Sequence, residues 1–126
     1  MDLLDQLVLR VNAAIKAGKM FVIIPKSKLN ITVLQFLKKA GYILNFLIGE
    51  REVFVQFNTV KGKVLLNALN RISKPGRRVY FTSKQLANAY NQDKRFIIVS
   101  TCGNVLYWTW QMCVKEQGGE ILIEIL

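Results

Sequence analysis

A chain of 126 residues with 18 Lys and Arg against 8 Asp and Glu carries a formal charge of +10, and it has no histidine. That length suits one domain or two small lobes sharing a core, and the charge favours an anionic partner, nucleic acid ahead of an anionic membrane surface. The missing histidine removes Ser-His and Cys-His pairs, His acid–base chemistry and His metal sites. The two cysteines, Cys102 and Cys113, make neither a metal site nor a disulfide framework and fit a reducing compartment. No apolar run approaches the ~18 residues of a membrane span. Two early acids, Asp2 and Asp5, are unlike the start of a secretory or transit peptide, so the expectation is a chain that works where it is made or is already mature.

In chain order, Leu4, Leu7, Val8, Val11 and Ile15 follow helical spacing, and Gly18 closes that helix. Residues 20–24 read as a buried strand stopped by Pro25. Ser27 is placed to cap a second helix whose apolar face is Leu29, Val33, Phe36, Leu37 and Ala40. Lys38 and Lys39 sit in its last turn, where cations suit the helix dipole, and Gly41 follows. Residues 43–48 read as a strand and Gly49-Glu50 as a turn. Residues 52–58 alternate, with Val53, Val55 and Phe57 on one side, as a half-buried antiparallel strand does.

Lys61-Gly62-Lys63 reads as a boundary between an N-terminal lobe, 1–62, and a C-terminal lobe, 63–126. A strand-like stretch runs on to Ile72 and a short arm returns through Phe81. Between them Pro75-Gly76 reads as a type II turn, with glycine at positive φ and Ile72 and Val79 anchoring the arms. Ser83 is placed to cap a short helix over residues 84–90. Residues 96–99 form a central strand, and Ser100-Thr101-Cys102-Gly103-Asn104 is a tight polar loop at its end. Residues 105–110 suit strand or helix. After a break at Gly118-Gly119, residues 120–126 alternate as a terminal strand. The expected fold class is α/β of the α+β kind: a helix-strand-helix-strand-strand lobe, then a mostly β lobe with short helices.

The charge is uneven. No acidic residue falls between Glu52 and Asp93, where Lys61, Lys63, Arg71, Lys74, Arg77, Arg78 and Lys84 lie. Arg71, Ser73, Lys74, Pro75, Gly76, Arg77, Arg78 and Tyr80 gather cations and a flat ring around one bend, which suits a phosphate backbone with a base or sugar at hand. A solvated basic hairpin is the plain alternative.

Three stretches resemble one family. They are Pro25-Lys26-Ser27-Lys28-Leu29 followed by Gly41-Tyr42-Ile43; Arg71-Ile72-Ser73-Lys74-Pro75-Gly76 with Arg78 and Tyr80; and Ser100-Thr101 followed by Gly118-Gly119-Glu120-Ile121-Leu122. In that order and spacing they resemble the family of the eighth protein of the small ribosomal subunit, in its bacterial and organellar form. The resemblance implies a two-lobed structural protein, not an enzyme, that binds small-subunit ribosomal RNA in its central domain, beside other small-subunit proteins. It implies no cofactor, metal, membrane or small-molecule substrate. In that family the C-terminal lobe carries most of the RNA contact, through a Ser-Thr-Ser-x-Gly loop that meets a minor groove. Carried onto this chain, the RNA-binding residues are Ser100, Thr101, Cys102, Gly103 and Asn104, with the basic bend. Hydroxyls and backbone groups there reach 2′-OH groups and base edges at close range.

The chain departs from the family at several points. Cys102 stands where a serine is expected, and Gly103-Asn104 where a basic residue and glycine are usual. Tyr107-Trp108-Thr109-Trp110 begins a segment that is usually rich in Arg and Ala, and one extra residue precedes Gly118. This divergence suggests a mitochondrial ribosome, with plastid and bacterial cytoplasm as alternatives. Trp108 and Trp110 suit core or protein-interface packing better than base stacking. Lys16, Lys19, Lys26 and Lys28 suit phosphate contact or a solvated face equally. Cys102 has no base beside it to make it a nucleophile. A free-standing regulatory RNA- or DNA-binding module using the same surface is the second functional reading.

Overall fold

The computed structural model describes residues 2–100 and 105–126. The chain divides into two compact units, the first ending at Ala68 and the second beginning at Leu69. Both mix helices with antiparallel sheet, an α+β architecture.

The first unit runs α1 (Leu3–Lys16), β1 (Phe21–Pro25), α2 (Lys28–Lys39), β2 (Ile43–Ile48), β3 (Glu52–Phe57), β4 (Thr59–Val60) and β5 (Lys63–Val64). Asp2 caps α1 by accepting from the Asp5 N–H at 2.8 Å. Leu4, Leu7, Val8, Val11 and Ala14 form its buried stripe. Ser27 caps α2 as expected, accepting from the Asn30 N–H at 3.0 Å. The buried face of α2 is rotated from the expected one: it is Asn30, Val33, Leu34 and Leu37, while Leu29 and Ala40 are exposed. Asn30 earns a core position by donating Nδ2 to the carbonyls of Leu3 (3.0 Å) and Pro25 (2.9 Å).

The sheet order is β1-β3-β2. Val53, Val55 and Phe57 are buried and Phe54 is exposed, as the alternation predicts. Each fully buried aliphatic side chain on that face contributes roughly 1.5–3 kcal/mol. β1 differs from expectation. It is an edge strand that includes Pro25, and of its residues only Ile24 is buried. An edge tolerates proline because the N–H on the open side is not needed for the ladder. Residues 61–63, where the sequence places a boundary, lie in a hairpin inside the first unit: Val60 pairs with Lys63. Lys61 (φ 53°) and Gly62 (φ 79°) both take positive φ, the requirement of a two-residue type I′ turn.

The second unit runs β6 (Leu69–Arg71), β7 (Tyr80–Phe81), α3 (Ser83–Asn91), β8 (Arg95–Ser100), β9 (Leu106–Trp108), α4 (Thr109–Lys115) and β10 (Gly119–Ile125). Its sheet order is β6-β10-β8-β9, and β7 also pairs with β10. The terminal strand is therefore internal to the sheet, which is why it is buried almost throughout. Thr82, not Ser83, caps α3. Its hydroxyl accepts from the Gln85 N–H (3.3 Å) while the Gln85 side chain accepts from the Thr82 N–H (2.9 Å), a capping box. Residues 105–110 resolve into strand through Trp108 and helix from Thr109. The buried Thr109 hydroxyl fixes that junction by accepting from the Phe96 N–H at 2.9 Å. The core gathers Leu86, Ala89, Phe96, Ile98, Met112 and Ile121, with Phe81 edge-on to Phe96 at 5.8 Å.

Candidate nucleic-acid interface

The basic bend is a loop thrown out from one edge of β10. The residues on either side of it use the same partner: Ser73 donates its N–H to the Ile121 carbonyl (3.1 Å), and Val79 accepts from the Ile121 N–H (2.9 Å). β6 runs along β10 up to this point, and β7 resumes the pairing beyond it. Residues 74–78, Lys-Pro-Gly-Arg-Arg, leave the sheet and return to it at the same rung. All of them are exposed.

Ser73 holds the neck. It is 1% exposed. Its hydroxyl accepts from the Val79 N–H (2.9 Å) and donates to the Val79 carbonyl (3.2 Å). Arg71 lies on β6 and donates Nε to the Ser73 carbonyl at 2.5 Å. These two sequence-predicted site residues therefore shape the loop from below.

At the tip, Lys74 and Arg77 exchange backbone hydrogen bonds of 3.0 and 2.9 Å. Gly76 does not take the positive φ expected of a type II turn, and a Cβ added there would meet open space. Proline at the first central position with ordinary φ at the second is compatible with a type I turn, which makes no demand for glycine. The expected type II turn with glycine at positive φ is thereby corrected, and the backbone does not require glycine at position 76.

The cations differ in what they face. Lys74 and Arg77 are exposed on the loop. Arg78 instead folds toward Glu120, with Nη1 at 3.3 Å from one carboxylate oxygen and 3.4 Å from the other. The Glu120 side chain is only 11% exposed and that of Arg78 is 58% exposed. Glu120 belongs to the Gly118-Gly119-Glu120 motif, but sequence gave it no role, because no local pattern brings residue 120 beneath residue 78. Tyr80 pairs with Glu120 across β7 and β10 and is 59% exposed, with its ring available beside the loop.

The start of β10 lies between the strand that follows this loop and Ser100. Gly119 pairs with Phe81 on one side and with Ser100 on the other. At about 4.8 Å per strand, Phe81 and Ser100 lie roughly 10 Å apart. Ser100 is half-buried, and its N–H donates to the Val105 carbonyl at 3.2 Å. Thr101, Cys102, Gly103 and Asn104 lie outside the described residues. The two glycines permit this approach: a Cβ on Gly118 would overlap the Phe81 carbonyl oxygen, and one on Gly119 would lie 2.5 Å from the Val99 oxygen.

Trp108 is half-buried and Trp110 exposed. Lys115 Nζ sits 4.5 Å from the centroid of the Tyr107 ring. Among the described residues no group of three or more His, Cys, Asp or Glu is placed to hold a metal ion.

A basic α+β unit that carries cations on a loop outside its sheet, with an exposed tyrosine on the strand that follows, belongs with nucleic-acid-binding proteins. Comparison with known proteins makes this specific. The chain matches the ribosomal protein S8 family over residues 2–126, and it belongs to that family. Its relatives include three bacterial proteins, each named small ribosomal subunit protein uS8. That of Nitratidesulfovibrio vulgaris is 38% identical over 104 residues, covering 82% of this chain and 81% of its own. That of Lawsonia intracellularis is 32% identical over 124 residues, covering 98% and 97%. That of Gluconobacter oxydans is 34% identical over 129 residues, covering 98% and 96%.

Proposed function

We propose that this protein is a structural constituent of the small ribosomal subunit, not an enzyme, and that it binds small-subunit ribosomal RNA through its second unit. Membership of the family over residues 2–126 carries the first part. The exposed loop at residues 74–78 supports the second: two cations with no acidic partner among the described residues, Lys74 and Arg77, stand at the tip of a pinned turn, where phosphates can approach without displacing a carboxylate. Tyr80 supplies a face for a base or sugar, and Ser100 with residues 101–104 supplies short polar groups for a minor groove. Arg71 and Ser73 set the loop's shape. The half-buried Trp108 and exposed Trp110 belong to contacts with neighbouring small-subunit proteins.

The ribosome in question is mitochondrial in this reading. Support comes from Cys102 in place of a loop serine and from the aromatic run at residues 107–110 in place of a basic one. Sedimentation tests both levels. A tagged chain expressed in its source cells travels with small subunits, and subcellular fractionation places those subunits in mitochondria. A chain that binds RNA but sediments free of subunits overturns the structural role in favour of a regulatory module. Co-sedimentation with plastid or cytoplasmic subunits overturns only the compartment.

A further inference from the structure

The open edge of β1 carries a second binding feature, in the first unit. The phase of its ladder is fixed at both ends: the Phe57 N–H donates to the Met20 carbonyl (2.9 Å) and the Lys26 N–H to the Arg51 carbonyl (3.1 Å). With Phe21 opposite Gln56 and Pro25 opposite Glu52, residues 20, 22, 24 and 26 exchange bonds with β3. Phe21, Ile23 and Pro25 therefore turn their backbone groups outward. Part of that edge is closed. Arg10 donates Nη1 to the Ile23 carbonyl at 3.1 Å, Asn30 donates to the Pro25 carbonyl at 2.9 Å, and Pro25 has no N–H. The N–H and carbonyl of Phe21 and the N–H of Ile23 have no partner among the described residues. A run of donor, acceptor and donor on an edge is a template for another strand.

Space for that strand is present. A groove of about 560 Å³ runs between β1 and α1. Its helix wall is Ala13, Ala14 and Ala17, side chains too short to fill it, and Phe21 and Ile23 line the strand side. Arg10 and Lys19 stand at its rim. On the outer face of the sheet, Ile23, Phe54 and Leu47 lie opposite one another in register and are all exposed. A strand added to β1 would extend this apolar row by one rung.

We propose that β1 accepts an extended segment of another protein by strand addition, and that the segment alternates apolar with acidic residues. Backbone pairing to Phe21 and Ile23 supplies the anchoring, and alternate side chains supply the selectivity. Apolar residues continue the Ile23–Phe54–Leu47 row, and carboxylates meet Lys19 and compete with Glu52, 3.9 Å from Arg10, for that arginine. A second copy of this chain fits poorly, because pairing β1 with β1 brings two sets of Arg10 and Lys19 together. RNA fits poorly against a wall of alanines and an open backbone edge.

The probe is an acetylated, amidated Glu-Val-Glu-Val-Glu-Val peptide, titrated into the full-length ¹⁵N-labelled chain, with a Lys-Val twin as control. The expected result is slowed hydrogen exchange at the Phe21 and Ile23 amides, shift changes confined to residues 10–24, and at least tenfold weaker binding of the twin. Ala13→Glu fills and recharges the groove from an exposed helical position. Phe21→Pro removes an open donor without touching the ladder. Each is expected to weaken the peptide at least tenfold with an unchanged circular dichroism spectrum. Unprotected Phe21 and Ile23 amides, equal binding of the twin, or full-strength binding by Ala13→Glu overturns the proposal. So does protection of those two amides in a peptide-free dimer, or by a ribosomal RNA fragment in place of the peptide.

Discussion

Arg78 and Arg77 are neighbours in the loop, yet the structure gives them separate work, and substitution separates the two. Arg78→Ala takes the arginine away from a Glu120 side chain that is 11% exposed in the pair. Losing charge-assisted hydrogen bonds to a mostly buried carboxylate costs about 1–3 kcal/mol. The exposure of Arg78 on its side of the pair places the expected value in the lower half, about 1–2 kcal/mol. Urea unfolding reads this directly as a lower midpoint at unchanged slope. Adding Glu120→Gln removes the stranded charge, so the double variant recovers part of the loss. Lys74→Ala with Arg77→Ala takes away two exposed cations and leaves the unfolding midpoint in place. RNA affinity responds the other way. Two lost phosphate contacts reduce the slope of log K against log salt by about 1.4–1.8, which is roughly 25- to 60-fold in affinity at 0.1 M relative to 1 M salt. Should Arg78→Ala unfold like the parent chain and weaken RNA as the Lys74→Ala and Arg77→Ala pair does, then Arg78 faces RNA in solution and the pairing with Glu120 is incidental.

The glycines supply a second contrast. Gly119→Ala places a methyl 2.5 Å from the Val99 oxygen and should destabilise by about 1–3 kcal/mol in urea titration, whereas Gly76→Ala, in open space at an ordinary φ, should change stability by less than about 0.5 kcal/mol. Binding to the central-domain fragment of the small-subunit RNA should fall on the order of 10³-fold between 50 and 200 mM salt if half a dozen phosphates are contacted; a flat plot in a filter-binding titration removes the electrostatic argument. Thr101→Ala should weaken the same complex by about 1–3 kcal/mol. Cys102→Ser should match or exceed the parent if the RNA still offers a serine's partner, and unchanged affinity in both variants would place the loop away from the RNA.

Local patterns carried the sequence reading a long way. The stripe of α1 and the alternation of β3 follow from their own side chains, so Leu4, Leu7, Val53, Val55 and Phe57 could be placed in the core without a structure. Several of the failures share a cause, since each depends on a partner distant in sequence. An apolar run such as Phe-Val-Ile-Ile has no way to state whether its strand is central or at an edge. The face of α2 turned because Asn30 finds two carbonyls to bind, at Leu3 and Pro25, which no helical period encodes. Ser73 looked like a polar residue of a surface bend, but its hydroxyl closes the neck onto Val79. The cationic loop was legible as a candidate from charge and turn residues, whereas residues 100–104 entered as one through the family resemblance.

The neck also has a consequence for change over time. Because Ser73 and Val79 both address Ile121, the sheet registers the two ends of the excursion and is indifferent to what lies between them. Residues added to or removed from positions 74–78 need not slip a single rung of β10. A loop mounted this way can lengthen, shorten or exchange its charges, while the fold that carries it stays under separate selection. The freedom ends at Ser73: a substitution there opens the neck, and the loop and the sheet edge would then have to evolve together.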